Sequence, residues 1–563
     1  MAKTTCLWML VALAILALKA QAQAQMHPAL QELGEAVYAW RLQNQPFDDD
    51  DVTRLERPAG WLPEWSPAAI AKADAALQNL EQRLAAIDLN QLSRPEQVNY
   101  LLLRSELERA DFERHVMSRI ARDPDFYLAQ SCGVVYNYVL RPAPFDERRA
   151  AAVIRQIEQI PETLDAARLN LTSPVGPLAD RALARLANIA GKLDGLAQGL
   201  AQVFPSSQRA TLKKSCAAAA RSLAAYAAWL KARRPEMAPL AGIGREKYDW
   251  LLRRLLLLPM NSDELLVMAT QDWRRAEAFE AYEANRNAGA APSPLATSVA
   301  EQQQFGVRGD QQLREFLIAR KIVEVPEWMP HFRFEPIPDY LAAFDFGAEI
   351  YMFSPSHPRE DFIRFIHPPQ VNMGFWGKIL ASDPRPVVAH EGIPGHAFHL
   401  RLIDTQADPI RRRHYDGAAV EGLGTYLEEM LLQHGAFDDV PGSRQVVYRM
   451  LKLRALRVIM DINVASGKFS IGAAGKFLAE NVPMDEATAF EEANWAAASP
   501  GQNVGYFAGK VAITQLLAEV RRAQGEAFNL YDFHTRLWKA GAVPASLLRW
   551  EWLGQEEDVQ KVR

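Results

Sequence analysis

His390, Glu391 and His396 bring two imidazoles and a carboxylate into seven residues, HEGIPGH, the grouping in this sequence best equipped for chemistry. Neutral imidazoles hold a divalent cation such as zinc, and a carboxylate beside them takes a proton from water, which together is the equipment of a hydrolase. In the usual HExxH arrangement a spacing of four turns an α-helix by about 400°, so both imidazoles leave the same face. A spacing of six turns it by about 600° and leaves them about 120° apart. A regular helix would fail here, and Pro394 and Gly395 inside the interval make an irregular one plausible. Pro394 has no N–H for the carbonyl of His390 and disfavours helical geometry at Ile393, so the turn is expected to unwind and let His396 swing back.

Twenty-five residues after His396, VEGLGTYLEE places Glu421 at the start of an amphipathic helix with Leu423, Leu427 and Met430 available for packing. The segment resembles the Glu-Gly-x-x-x-Tyr stretch that supplies the glutamate ligand in aminopeptidases of the HExxH-plus-Glu class. That resemblance implies His390, His396 and Glu421 as ligands of one Zn2+ per chain, with Glu391 as general base. His399, three residues beyond His396, is a supporting partner or a substitute ligand ranked below His390. His367 and His414 read as structural or exposed.

Further on, PGQNVGYFAGK repeats glycine at Gly501, Gly505 and Gly509, which smooths one helix face for the close approach of another backbone. Packing alone explains that spacing as well as a functional role does. Tyr506 within it carries a phenol able to donate to an oxyanion. His534, in DFHTRLWKAGAVP, is a weaker candidate for the same task.

The elements that must position these residues are mostly helical. Between residues 66 and 285 Ser93 and Glu96 form a capping box, followed by Leu103, Leu107 and Ala110 at helical spacing. Val153, Ile157, Ile160 and Leu164 repeat the pattern, with Pro161 expected to kink or split the element. Asn261 with Glu264 opens another helix. Composition shifts to Ala, Gly, Pro and Ser from Asn285 to Ser298, read as a linker or hinge (286–300) between an N-terminal helical lobe (23–285) and a catalytic lobe (301–563). HFRFEPI, AEIYMF and FIRFIHPP read as strands of a small sheet. Helical patterning returns beyond Val387, with Leu451, Ala455, Val458 and Ile459 on one long helix. The expected fold is mainly α and two-lobed, with a small β-sheet beside the active-site cleft.

At the N-terminus Lys3, the apolar run Leu7 to Leu18 and Ala20-Gln-Ala22 read as a cleavable signal peptide (1–22), so the mature protein is expected in the periplasm or secreted. Removing Lys3 and Lys19 with it takes the formal charge from -5 to -7, no basic tract argues for nucleic acid or an anionic membrane as a partner, and no later run reaches the roughly 18 apolar residues that stable membrane insertion needs. Cys132 and Cys216 remain in the mature chain, too few for a thiolate metal site, and are read more readily as two separate buried thiols than as one disulfide.

Together, HEGIPGH, VEGLGTYLEE, PGQNVGYFAGK and DFHTRLWKAGAVP resemble the bacterial domain-of-unknown-function family 885, whose motifs run approximately HEAIPGHH, EGWALYAE, PGQALSYKIGK and DFH…LLxxGxxPL. The likeness is closest from about residue 385 onward and reaches back weakly to GIGREKYDWLLRRLL near Gly244. It implies a largely helical metallopeptidase, similar in style to angiotensin-converting enzyme and the helical oligopeptidases, with a site in a deep cleft between lobes. His390, Glu391, His396, Glu421 and Tyr506 match the family's motif positions. Ala397 replaces the second of the family's paired histidines, and the Asp-Gly-x-Arg-Pro-Gly loop before the motif is missing. The expected activity is zinc-dependent hydrolysis of peptide bonds. The rivals are a zinc amidohydrolase acting on small-molecule or cell-wall amides and a non-catalytic helical binding protein.

Overall fold

Helices begin where the sequence supplies caps. Ser93 and Glu96 form a reciprocal capping box ahead of α1 (Arg94–Asp111). Helix α2 (Glu147–Asn170) runs unbroken through Pro161, so the proline does not split it as expected. Ile157, Ile160 and Leu164 around it are fully buried, and the packing of that stripe outweighs the single backbone hydrogen bond that the ring removes. A second reciprocal box, Asn261 with Glu264, opens α3 (Ser262–Arg286), and Ser298 caps α4 (Val299–Ala319). The computed structural model describes residues 26–47, 55–291, 293–352, 354–370 and 373–563. The segment 1–22, read from the sequence as a signal peptide, lies outside them.

All three expected strands form one sheet: β1 (Phe332–Pro336), β2 (Ile350–Tyr351) and β3 (Phe362–Ile366), in the order β1-β3-β2. Strand β1 runs parallel to β3 with Phe332 opposite Phe362, and β2 runs antiparallel to it with Ile350 opposite Arg364. After the sheet come α5 (Arg385–Glu391), α6 (His396–Asp404), α7 (Gly417–Gln433) and α8 (Ser443–Ala465). Helix α9 (Gln502–Gln524) and α10 (Leu530–Lys539) complete the set that builds the site. The molecule is mainly α with a small β-sheet.

Two large apolar cores flank the sheet. One joins Phe332, Phe334 and Phe362 to the inner faces of α4, α5, α7 and α8, and also takes in Leu102 of α1 and Ala276 of α3. The other gathers α2 and its neighbouring helices around Tyr340, Phe344, Tyr351 and Phe365. Residues on both sides of the 286–300 segment therefore share one core. Cys132 and Cys216 are separate, buried and unpaired, and burial pushes each thiol up to about 12.

Candidate metal centre

The HEGIPGH motif is divided between two helices. Helix α5 ends on Glu391, and α6 begins on His396. Between them the chain folds back so tightly that a Cβ on Gly395 would stand 1.8 Å from the carbonyl oxygen of His390. Only glycine fits that approach, and Pro394 ends the helical ladder as its missing N–H requires. The side chain of Phe332 covers Gly392 from the sheet, and Trp538 of α10 donates to the carbonyl of Pro394 at 2.7 Å. The unwound turn is thus braced from two sides, and it returns His396 to His390 with ring centroids 4.6 Å apart.

Glu421 enters from the first turns of α7. His390 Nε2 and His396 Nε2 each lie 3.2 Å from the same oxygen, Glu421 Oε2, and these three buried side chains form a group able to hold a metal ion. Small residues permit the approach. A Cβ on Gly424 would meet the His390 ring at 2.6 Å, and one on Gly422 would meet the Cα of Gly509 on α9 at 2.4 Å. Gly505 faces Ala418 in the same way, so the glycine spacing does serve packing, at Gly505 and Gly509. Gly501, at φ +89°, instead caps the start of α9. Close packing of α7 on α9 sets the Tyr506 ring 6.1 Å from the His390 ring, between the guanidinium groups of Arg454 and Arg457.

Glu428, seven residues after Glu421 and so on the same face of α7, supports His390 from behind. His390 Nδ1 donates to Glu428 Oε1 at 2.7 Å, and Arg454 donates to that oxygen at 3.0 Å. Burial opposes the charge on Glu428, but Arg454 and His390 outweigh it and hold the carboxyl below its usual value. Burial likewise opposes Glu421, and His396 and His390 hold it well below the carboxylate range. For His390, burial disfavours the cation while Glu421 and Glu428 favour it more strongly, taking the imidazole up to about 9. A carboxylate at Nδ1 fixes the tautomer whose Nε2 lone pair points at Glu421. Two acceptors 3.2 Å apart need a proton or a cation between them, so the donor set of two imidazoles and a carboxylate fits zinc.

Glu391, half-buried, lines a cavity of about 200 Å³ together with His396, Glu421 and Tyr506. Tyr136 and Leu140, from the chain before residue 286, and Ile350 and Met352, from β2 and just beyond it, also line it. His390 is not among the residues that line it. His534 does not join this group. It is fully buried, with Nδ1 at 2.8 Å from the carbonyl of Ile322 and Nε2 at 2.8 Å from the hydroxyl of Tyr426. Burial lowers its imidazole to about 4; Nε2 ties α10 to α7 through Tyr426 and Nδ1 ties it to the segment after α4 through Ile322, so both nitrogens are engaged away from the group around Glu421, in place of the oxyanion-donor role expected of it. His399 faces a separate cavity beside Leu258 and Leu423, so it does not substitute for a ligand. His414 is buried against Glu106, and exposed His367 meets Glu349.

Two solved structures share this architecture. One is a protein from Shewanella oneidensis described as a "putative lipoprotein of unknown function", 19% identical, with a TM-score of 0.71 over 93% of this chain and 99% of that one. The other is a "putative lipoprotein" from Colwellia psychrerythraea, 15% identical, with a TM-score of 0.71 over 95% of this chain and 100% of that one. No curated protein sequence matches the chain. Residues 50–551 match the family described as "Bacterial protein of unknown function (DUF885)", and the chain belongs to that family.

Proposed function

We propose that the protein is an exported zinc-dependent peptidase. The observation that carries the reading is the convergence of His390 Nε2 and His396 Nε2 on Glu421 Oε2 beside a cavity that Glu391 also lines. A divalent cation held by these three residues would supply Lewis acidity toward a scissile carbonyl and toward water. Glu391 takes the proton from the attacking water as its oxygen bonds to the carbonyl carbon, then returns that proton to the amide nitrogen as the C–N bond breaks. Tyr506 donates a hydrogen bond to the carbonyl oxygen as it gains charge. The exposed edge of the two-residue β2, at the cavity wall, offers an extended peptide backbone hydrogen bonds.

Export is supported by the leader-like segment 1–22 and by the description of both similar structures as lipoproteins. Among the described residues no helix is long and apolar enough to cross a membrane.

The test is cleavage of a mixed peptide library by the zinc-supplied mature chain, followed by mass spectrometry. Peptide products from the wild type and none from Glu391→Gln are expected. A chain that holds zinc and cleaves small-molecule amides but no peptide would turn the reading to an amidohydrolase, and one that cleaves neither would turn it to a binding protein.

A further inference from the structure

Side chains alternate across the central strand, so Phe362, Arg364 and Ile366 share one face of β3 and Ile363 and Phe365 the other. Phe362 and Ile366 belong to the core beside the metal centre, while Phe365 belongs to the second core. Arg364 therefore occupies an inward position where the pattern calls for an apolar side chain. It lines the same cavity as Glu391, His396, Glu421 and Tyr506. Its backbone is pinned on both sides, opposite Phe334 and Ile350.

No carboxylate answers this guanidinium. Among the described residues Arg364 makes no side-chain hydrogen bond or ion pair, and its Nε is buried without a partner there. Other arginines near the site are paired: Arg454 with Glu428, and Arg457 with Glu492. In the neighbouring cavity, which shares Tyr415, Arg41 meets Glu106 and Arg114 meets Asp74. Among the described residues Arg364 is the one arginine or lysine lining the metal-side cavity. A buried donor left unpaired is costly, and a local rule broken without compensation inside the fold is expected where a ligand supplies it.

We propose that Arg364 receives a carboxylate of the substrate. The planar fork of a guanidinium matches a carboxylate in two parallel hydrogen bonds. A cavity of about 200 Å³ lies below the range of drug-sized small-molecule sites, roughly 300–1,000 Å³. It has room for only a few residues of peptide, which brings a free C-terminus within reach of β3. The site then acts near the C-terminal ends of short peptides, or beside an acidic side chain. This deepens the peptidase reading and rests on it for the reaction, though not for binding.

Calorimetry on the zinc-supplied Glu391→Gln chain, which keeps the peptide intact, tests the recognition. Trialanine is expected to bind roughly 10- to 100-fold more tightly than its C-terminal amide. Adding Arg364→Gln should erase that preference, and Arg364→Lys should keep part of it. Both changes should leave the melting temperature unlowered, because the side chain makes no bond within the fold. Equal binding of Ala-Glu-Ala amide and trialanine would assign the guanidinium to side-chain carboxylates, and selective binding of trialanine would assign it to the C-terminus. Either result supports the proposal. Equal or absent binding of acid and amide, or a preference that survives Arg364→Gln, would overturn it. With the active chain the two readings separate: cleavage of acid and amide at the same rate spares the peptidase and removes Arg364's role, while selective binding without cleavage does the reverse.

Discussion

Glu428 decides what His390 presents to the cavity. By accepting from Nδ1 it leaves the Nε2 lone pair for a cation. Glu428→Gln is expected to weaken zinc binding roughly 10- to 100-fold, read by competition with a chromophoric chelator, because a neutral amide no longer enforces that tautomer. Glu391 acts on the proton and not on the metal. Glu391→Gln should therefore hold zinc as the wild type does and lose turnover by roughly 10²- to 10⁴-fold; retained activity would remove it as the base. The meeting of His390 with His396 was legible in the sequence from type and spacing and that of Glu421 with them from a resemblance, but Glu428 was not. TYLEE offers two adjacent acids, and only the helical register shows that Glu428 shares a face with Glu421. Glu429 turns away to Arg275 and Lys510.

The pairing of α7 with α9 connects the glycines to the chemistry. With Gly509 and Gly422 in backbone contact, a larger side chain must push the helices apart, moving Tyr506 away from Glu421. Gly509→Val is expected to destabilise the protein by at least about 1–3 kcal/mol and to lower its zinc content, read by thermal melts and metal analysis. Gly472→Ala, where a Cβ meets nothing nearer than 3.9 Å, serves as the control and should leave both unchanged or gain slightly in stability. Spacing alone announced a smooth face, but not which backbone would use it, because the partner Gly422 lies 87 residues from Gly509 in the chain. Pro394 behaved as its chemistry dictates, whereas Pro161 was overridden by the buried stripe around it. Local rules held where the chain had to break and yielded where tertiary packing opposed them. His534 was read as a donor because its motif was visible, while its two partners, Ile322 and Tyr426, come from distant elements.

At the level of the whole molecule, stability depends on pH through Asp461, buried on α8. Burial raises its carboxyl to about 7, against the lowering effects of the Gly501 N–H and the Tyr248 hydroxyl. Both groups donate to Oδ1, at 2.9 Å and 2.7 Å. The unfolded chain titrates this group near ~3.9, so the folded state binds the proton more tightly between the two values. Its stabilising contribution is complete below about pH 4 and is lost as pH rises through 7. Asp461→Asn should flatten that part of the stability profile, measured by denaturant unfolding from pH 5 to 8. A slope unchanged from the wild type would assign the dependence elsewhere. The mainly helical class, the three strands and the caps were all readable from periodicity. The sharing of one core by residues before and after the 286–300 segment was not, since contacts such as those of Leu102 with the later helices leave no local pattern.

The central claim is that His390, His396 and Glu421 hold a metal ion. Elemental analysis of the purified mature chain, beside an identical preparation of His396→Ala, tests it most directly. About one zinc per chain in the wild type and none in the variant is the predicted result. Absence of metal from both, after zinc has been supplied, would contradict it.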